Sequence, residues 1–183
     1  MKMNIFIVSD THFRHKNIIE YAKRPFQSVE EMDEEMIKRW NNKVGKDDLV
    51  IHLGDFALGN KEEVESIRKR LNGNIILLKG NHDHKSVRGA GFLIIKGTLE
   101  IDNIIFSHNP IQKKEIPTGF INVHGHIHEK ESLNGFNVSV EKTNYEPILL
   151  EDLKKLIFPL KNNSCLEYLC LMRDYGVIRN RIT

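Results

Sequence analysis

The stretch from Ile75 to Asp83 reads IILLKGNHD and places a short apolar run directly before residues that can carry chemistry. The run Ile75–Leu78 is rich in Ile and Leu and is followed closely by Gly and Asn, so it predicts a buried strand. After it, Asn81 offers a neutral oxygen ligand, His82 a titratable imidazole, and Asp83 an adjacent carboxylate that could orient this imidazole. The stretch therefore predicts a strand with part of a functional site at its carboxyl end.

The same arrangement recurs along the chain, because other short apolar runs also end in polar or chemically active residues. These runs are Met3–Val8 before Ser9-Asp10, Leu49–Leu53 before Gly54-Asp55, Asn103–Phe106 before Ser107-His108, and Ile121–Val123 before His124-Gly125-His126. Between them, residues 29–43 and 61–71 carry apolar side chains at intervals of three and four, and residues 151–158 form a shorter helical pattern. Alternating strands and helices predict an α/β or layered α/β sandwich domain.

The histidines are confined to one part of the chain, since all nine lie between His12 and His128. Six stand at or just past the ends of predicted strands: His12, His82, His84, His108, His126 and His128. Residues at the carboxyl ends of strands converge on one edge of a layered α/β domain, where ligand sites form. Together with Asp10 and Asp55, which stand in the same relation to their strands, these histidines predict a metal site.

Other polar residues near these motifs have structural interpretations. We expect His52, inside a strand, to be a hydrogen-bonded core residue, and His124 to face away from His126. Asn137 and Glu141 lie in a late strand pattern and are also interpreted as structural.

Length and composition place the chain among ordinary globular domains. Its 183 residues suit one domain, and 40% hydrophobic with 28% charged residues exclude disorder and low complexity. Cys165 and Cys170 match no metal or redox pair, which favours a reduced, cytoplasmic setting. No stretch approaches the roughly 18 apolar residues of a membrane helix, and a net charge of +2 does not predict nucleic-acid binding by itself.

Taken in order, the motifs resemble the calcineurin-like metallophosphoesterase superfamily, most closely its small single-domain bacterial and phage members. They are D-x-H at Asp10/His12, G-D at Gly54/Asp55, G-N-H-D at Gly80–Asp83, the lone His108, and G-H-x-H at Gly125–His128. The resemblance covers about residues 3–150. It implies an α/β fold, a four-layer αββα sandwich of two mixed sheets, without a cap domain. Many members continue G-D-x-x-D, whereas Asp55 is followed by residues FALG and no second carboxylate.

The resemblance also implies two divalent metal ions and a role for each motif residue. Asp10, His12 and His128 would hold the first ion, Asn81, His108 and His126 the second, and Asp55 would bridge both. Imidazole-rich ligation favours Mn, Fe, Ni, Co or Zn over Mg or Ca, and we expect Mn. A metal-bound hydroxide would attack the phosphate, His82 would assist the leaving group, and Asp83 would hold the His82 ring in the required tautomer.

Three side chains near the first ligands are predicted to bind substrate, namely Arg14, His15 and Arg24, because a guanidinium offers a forked donor pattern to phosphate. For Arg24, a solvated arginine on a loop is an equally good interpretation. The expected activity is hydrolysis of small phosphate esters or nucleotides, with phosphodiesters preferred. The alternatives are a phosphomonoesterase, a nuclease with nucleic acid as substrate only, or a non-catalytic interaction scaffold on the same fold.

The predicted metallophosphoesterase domain spans residues 1–158, and residues 159–183 are predicted to form a C-terminal extension. Within that extension, Cys165–Met172 is apolar and places Leu166, Leu169 and Cys170 on one helical stripe. We expect the extension to pack on the core or on a partner.

Overall fold

The computed structural model describes residues 3–158, and its first sheet has five strands in the order β4-β3-β2-β1-β9. These strands are β1 (Ile5–Val8), β2 (Leu49–His52), β3 (Asn74–Leu78), β4 (Leu93–Ile95) and β9 (Ile148–Leu149). The first four run parallel, whereas β9 pairs antiparallel with β1. The parallel strands are almost uninterrupted runs of Ile, Leu and Val because both faces of this sheet are covered.

The second sheet has four strands in the order β5-β6-β7-β8. They are β5 (Leu99–Ile101), β6 (Ile104–Ser107), β7 (Ile121–His124) and β8 (Gly135–Asn137). β5 is antiparallel to β6, while β6, β7 and β8 run parallel. The expectation of an α/β fold with two mixed sheets is therefore confirmed, and the described residues include no cap domain.

Five helices accompany the sheets within residues 3–158. They are α1 (Ile18–Tyr21), α2 (Val29–Lys43), α3 (Lys61–Arg70), α4 (Lys85–Arg88) and α5 (Leu150–Ile157), with 3-10 turns at Lys113–Glu115 and Val140–Lys142. The predicted helices over residues 29–43, 61–71 and 151–158 correspond to α2, α3 and α5, with ends that agree to within one residue. None of the helices in this range is long and apolar enough to cross a membrane.

Two hydrophobic cores hold the layers together, and β1 contributes to both because its side chains alternate between the faces of the sheet. Phe6 and Val8 belong to the core that includes Met36 and Trp40 of α2. Ile7 belongs to the core between the sheets, where the first sheet meets the second and α5. The other members of this core include Ile51, Leu78, Ile104, Phe106, Val123, Leu150, Leu153 and Leu156.

The structure describes no residue after 158, so the predicted domain boundary there stays a prediction. The predicted extension over residues 159–183, with its apolar stripe, lies outside the described residues and stays a prediction.

Candidate metal centre

The candidate site lies where five strands end, in the loops that follow β1, β2, β3, β6 and β7. The loops after β1 and β2 run side by side, since the backbone N–H of Asp10 donates to the carbonyl of Gly54 and that of His12 to the carbonyl of Asp55, both at 3.0 Å. In the second sheet, the N–H of Gly125 donates to the carbonyl of His108 at 3.0 Å. Backbone pairing beyond the strand ends thus brings the sequence motifs together.

All seven predicted ligand residues meet at this edge, in two groups. Ligand atoms within each group lie within 4.8 Å of one another; the first group is Asp10, His12 and His128, and the second is Asp55, His108 and His126. Asp55 Oδ2 lies between the groups, 3.5 Å from His12 Nε2 and 3.4 Å from His108 Nε2. Asn81 joins the second group, with its Oδ1 2.8 Å from His108 Nε2. Each group combines residues that follow strands of both sheets.

The donor atoms of the first group fit a cation. Asp10 Oδ1 and His12 Nε2 are buried, and neither has a hydrogen-bond partner among residues 3–158. Burying an unpaired polar atom costs free energy, and a carboxylate costs more than a neutral group. A divalent ion with carboxylate and imidazole ligands would satisfy both atoms.

The backbone at the ligands is unusual, because five of the seven have a positive φ without being glycine. The angles are 58° at Asp10, 48° at His12, 57° at Asp55, 70° at His126 and 53° at His128. Each left-handed non-glycine residue costs roughly 1–3 kcal/mol, and such residues cluster at functional sites. The cost is offset locally by bonds such as that from the His126 N–H to Asp10 Oδ2, at 2.8 Å.

The three motif glycines stand where one ligand loop presses against another. A Cβ on Gly125 would overlap Ser9 Oγ and Asp10 Oδ2, and a Cβ on Gly80 would overlap the Asp55 carboxylate. Gly54 has a φ of +101°, and its Cβ would lie 2.7 Å from His108 Nδ1. Glycine is required at these positions because any side chain would push the ligand groups apart.

The electrostatics differ among the candidate ligands, favouring a neutral imidazole at His12 and an ionised carboxylate at Asp55. Burial lowers the pKa of His12 to about 2, despite the opposing charge of Asp55, so the ring stays neutral and able to ligate a metal. Burial would raise the pKa of Asp55, but the hydrogen bond and charge of His108 outweigh it and hold the pKa below its ordinary value. Burial raises the pKa of Asp10, because the positive charge near this carboxylate only partly offsets its removal from water.

Comparison with known proteins identifies the family of the chain. Residues 3–169 match the family described as calcineurin-like phosphoesterase, which is most of the chain. This chain belongs to the calcineurin-like phosphoesterase family. The family and the Asp/His groups together support a metal-dependent phosphoesterase, a hydrolase of phosphate esters with side chains that could hold two divalent ions.

Three relatives illustrate how far this similarity extends. The uncharacterized protein MJ1445 of Methanocaldococcus jannaschii is 38% identical over 164 residues, which cover 84% of this chain and 90% of that protein. The Gene 66 protein of Mycobacterium phage L5 is 36% identical over 102 residues, or 50% of this chain and 46% of that protein. The crystal structure of AQ665, a protein of unknown function from Aquifex aeolicus, superposes with a TM-score of 0.68 at 26% identity, covering 85% of this chain and 100% of that one.

Within this calcineurin-like phosphoesterase, His82 is exposed at the edge of the two ligand groups. Its backbone N–H donates to Asp55 Oδ1 at 2.8 Å, and its ring centroid lies 5.5 Å from that of His12 and 6.5 Å from that of His15. The backbone anchor fixes the position of the residue while leaving the ring accessible from solvent.

The predicted role of Asp83 as the residue that orients the His82 ring is corrected by the structure. The Asp83 carboxylate is buried and accepts the backbone N–H groups of Gly80, Asp55 and Phe56, at 2.8, 2.9 and 2.9 Å. Both carboxylate oxygens are thus bound by the backbone of the two loops that carry Asp55 and Asn81. Asp83 holds the ligand loops together, because a carboxylate satisfies several adjacent N–H groups at once.

The three predicted substrate residues have different surroundings. His15 is half-buried at the site, with its Nδ1 3.4 Å from His12 Nδ1. Arg14 is more exposed, and its guanidinium pairs with Glu63 at 3.0 Å. The structure does not support substrate binding by Arg24, whose side chain is fully buried and pairs with Glu141 at 2.7 Å. Arg24 is a buried structural cation, and the interpretation as a solvated loop residue is also wrong.

Glu141 contacts a candidate ligand, although the sequence pattern predicts only a structural role for it. Its Oε1 accepts a hydrogen bond from His128 Nδ1 at 3.1 Å. Burial would raise its pKa, but His128 and Arg24 outweigh this and keep it below the ordinary value. No spacing signal could identify it, because it lies in a 3-10 turn 13 residues beyond His128 and belongs to none of the motifs.

The remaining structural interpretations agree with the contacts. His52 Nε2 lies 2.9 Å from Thr11 Oγ1 in the core, and His124 Nε2 lies 2.7 Å from Ser132 Oγ. Asn137 donates to the carbonyl of His128 at 2.7 Å, so it supports the backbone of the last ligand loop.

Proposed function

We propose that the chain is a binuclear metal-dependent phosphoesterase that hydrolyses phosphodiesters in preference to monoesters. The observation that carries this proposal is the position of Asp55, whose Oδ2 lies within 3.5 Å of a ligand nitrogen of each group. One carboxylate oxygen between two sets of imidazoles is what a bridging ligand requires.

The donor set divides between two ions. Asp10, His12 and His128 would hold the first, Asn81, His108 and His126 the second, with Asp55 shared. Four imidazoles and one amide favour Mn, Fe, Ni, Co or Zn, and Mn is the ion that we propose. Two such ions supply Lewis acidity to the phosphoryl oxygens and lower the pKa of a water molecule that serves as nucleophile.

Two dications would carry four positive charges, and the carboxylates of Asp10 and Asp55 would neutralise two of them. The metal-loaded site would therefore have a net charge of +2 and attract a phosphate anion. His82 lies at the solvent-exposed edge of the site, where the leaving oxygen would depart. A protonated imidazole there donates its proton to that oxygen, and assistance of this kind is worth roughly 10²–10⁴ in rate.

The preference for diesters rests on the two arginines near the site. A monoester carries nearly two negative charges at neutral pH and benefits from guanidinium groups at its terminal oxygens. Here Arg14 pairs with Glu63 and Arg24 is buried against Glu141. The side chains that face substrate are therefore mainly the imidazoles of His15 and His82, which suit the single charge of a diester.

Hydrolysis of bis(p-nitrophenyl) phosphate and p-nitrophenyl phosphate tests the proposal, with metal-stripped protein compared to protein refilled with Mn²⁺. We expect turnover only after refilling and a larger kcat/KM for the diester. A larger kcat/KM for the monoester would assign a phosphomonoesterase. Bound Mn²⁺ without turnover of either substrate would favour the non-catalytic scaffold.

The role of His82 is tested by the His82→Ala substitution, with His84→Ala as the matched control, because His84 is also an exposed histidine of this loop. We expect His82→Ala to reduce kcat by about 10²–10⁴ while Mn²⁺ content stays near two per chain. His84→Ala should leave both unchanged. Loss of metal together with activity in His82→Ala would make His82 a ligand instead.

A further inference from the structure

A buried ion pair lies directly behind the first ligand group and is used by none of the steps above. The Arg24 side chain is 0% exposed and that of Glu141 is 4% exposed, with Arg24 Nη2 2.7 Å from Glu141 Oε1. The two residues are 117 positions apart, so the pair joins the segment after α1 to the 3-10 turn Val140–Lys142.

Besides contacts of Arg24 with Met32 Sδ and the Tyr145 ring, the pair makes three hydrogen bonds that lead to the first ligand group. Arg24 Nη2 donates to the carbonyl of Asp10 at 2.7 Å, and Arg24 Nη1 donates to the carbonyl of Thr11 at 2.8 Å. On the other side, Glu141 Oε1 accepts from His128 Nδ1 at 3.1 Å. The pair therefore connects the D-x-H turn of the first sheet to the last histidine of G-H-x-H.

These hydrogen bonds determine which nitrogen of His128 is protonated and hold the backbone turn that carries Asp10 and His12. A carboxylate can only accept, so His128 carries a proton on Nδ1, and in the neutral ring its Nε2 keeps the lone pair that a metal requires. The Asp10 and His12 backbone is left-handed, with φ of 58° and 48°, and a guanidinium across the Asp10 and Thr11 carbonyls holds this strained turn in place.

We propose that Arg24 and Glu141 form a positioning pair for the first metal ion, in which Glu141 sets the tautomer and orientation of His128 and Arg24 fixes the turn that presents Asp10 and His12. This inference rests on the proposed metal centre. A purely stabilising role is a weaker explanation, because a buried ion pair contributes little net stability compared with apolar residues of similar volume. Substitution of a residue that hydrogen-bonds a metal-ligating histidine typically weakens metal affinity by 10- to 100-fold.

The test is Mn²⁺ binding by calorimetry to the full chain and to its Glu141→Gln variant. Wild type is expected to bind two Mn²⁺ per chain; fewer than two would contradict the proposed binuclear centre, whatever the variant does. In Glu141→Gln, one of the two Mn²⁺ should bind 10- to 100-fold more weakly. At saturating Co²⁺, the visible absorption spectrum of the variant should also differ from that of wild type, which a role in stability alone would not cause.

Asp48→Asn is the matched control, because Asp48 is a buried carboxylate that accepts backbone N–H groups of Asn4 and Gly45, before β2 and away from the ligand loops. It should keep wild-type Mn²⁺ affinities and Co²⁺ spectrum. Unchanged affinities and spectrum in Glu141→Gln would overturn the positioning role. The positioning role would also be overturned if Glu141→Gln and Asp48→Asn both weakened the binding of both Mn²⁺ ions equally.

A second variant covers the case in which Glu141→Gln does not fold with the Arg24 charge left unpaired. Arg24→Met combined with Glu141→Leu removes both charges of the pair and leaves neither unpaired, so it should fold and show the same selective loss of one Mn²⁺. A double variant with wild-type metal binding would overturn the proposal, as would failure of both variants to fold, since the pair would then be a requirement of folding.

Discussion

Gly125 shows how tightly the ligand loops pack, because its Cα faces the Ser9 hydroxyl and the Asp10 carboxylate without space for one more carbon. We expect Gly125→Ala to lower the free energy of unfolding by about 1–3 kcal/mol, as overpacking does, and to reduce the bound Mn²⁺. Urea unfolding and elemental analysis would measure both. Gly89→Ala is the control, since the three atoms nearest to its Cβ would all belong to the flexible Lys61 side chain. Equal effects of the two substitutions would contradict the prediction.

The Asp55 carboxylate lies within 3.5 Å of a histidine ring nitrogen of each ligand group. Asp55→Asn removes the negative charge between the two groups and keeps an oxygen for the His82 N–H, so we expect both Mn²⁺ ions to be lost together. Elemental analysis after gel filtration measures the metal content, and Asp48→Asn again serves as control. Loss of a single ion would mean that Asp55 belongs to one site only.

The sequence was sufficient to predict which side chains gather at the site, but it did not predict all of their partners. D-x-H, G-D, G-N-H-D and G-H-x-H place ligands at strand ends, and parallel strands bring these ends to one edge. Their positions near candidate ligands in the sequence predict catalytic or substrate-binding roles for Asp83 and Arg24. Their actual partners are the backbone of the Asp55 loop and Glu141, which only the tertiary fold brings within reach.

Helix α3 begins with a reciprocal capping box, in which Asn60 Oδ1 accepts the N–H of Glu63 and Glu63 Oε2 accepts the N–H of Asn60, both at 2.9 Å. We expect Asn60→Ala to cost about 1 kcal/mol of unfolding free energy, because an N–H of the first turn loses its acceptor. Urea unfolding of the metal-free protein would measure this cost. Asn134→Ala, at an exposed loop position, should cost less than half as much.

The longer elements were predictable because their patterns repeat over several turns. In α2, Met32, Met36 and Trp40 recur every four residues and face the core, and Ser28 caps the helix by accepting the Glu31 N–H. The one-turn helices α1 and α4 could not be predicted, because four residues cover about one helical turn and leave no room for apolar positions to recur. The 3-10 turn that carries Glu141 has only three residues and could not be predicted for the same reason.

The pH dependence of folding should reflect Asp33 of α2, which is 3% exposed and accepts the Arg14 N–H. Burial raises its pKa to about 6, against the opposing effect of that hydrogen bond. The native state therefore binds more protons than the unfolded state between pH about 4 and 6, so this residue's contribution to stability is present at low pH and is lost as pH rises through 6.

Asp33→Asn isolates this contribution, since the amide keeps an acceptor and has no charge to bury. We expect the difference in unfolding free energy, variant minus wild type, to increase by up to about 3 kcal/mol from pH 4 to pH 7. Urea unfolding of both metal-free proteins at several pH values measures the difference. A difference that stays constant with pH would show that Asp33 titrates normally.

The placement of the ligands on both sheets has a consequence for the chain as a whole. Asp10, His12, Asp55 and Asn81 follow strands of the first sheet, whereas His108, His126 and His128 follow strands of the second. Ions bound as proposed would cross-link the two sheets and bind only the folded state, which at a hundred times Kd adds about 2.7 kcal/mol per ion to the unfolding free energy. Metal supply would then govern survival against proteolysis, and a cell depleted of the ion would hold less of the protein as well as less of its activity.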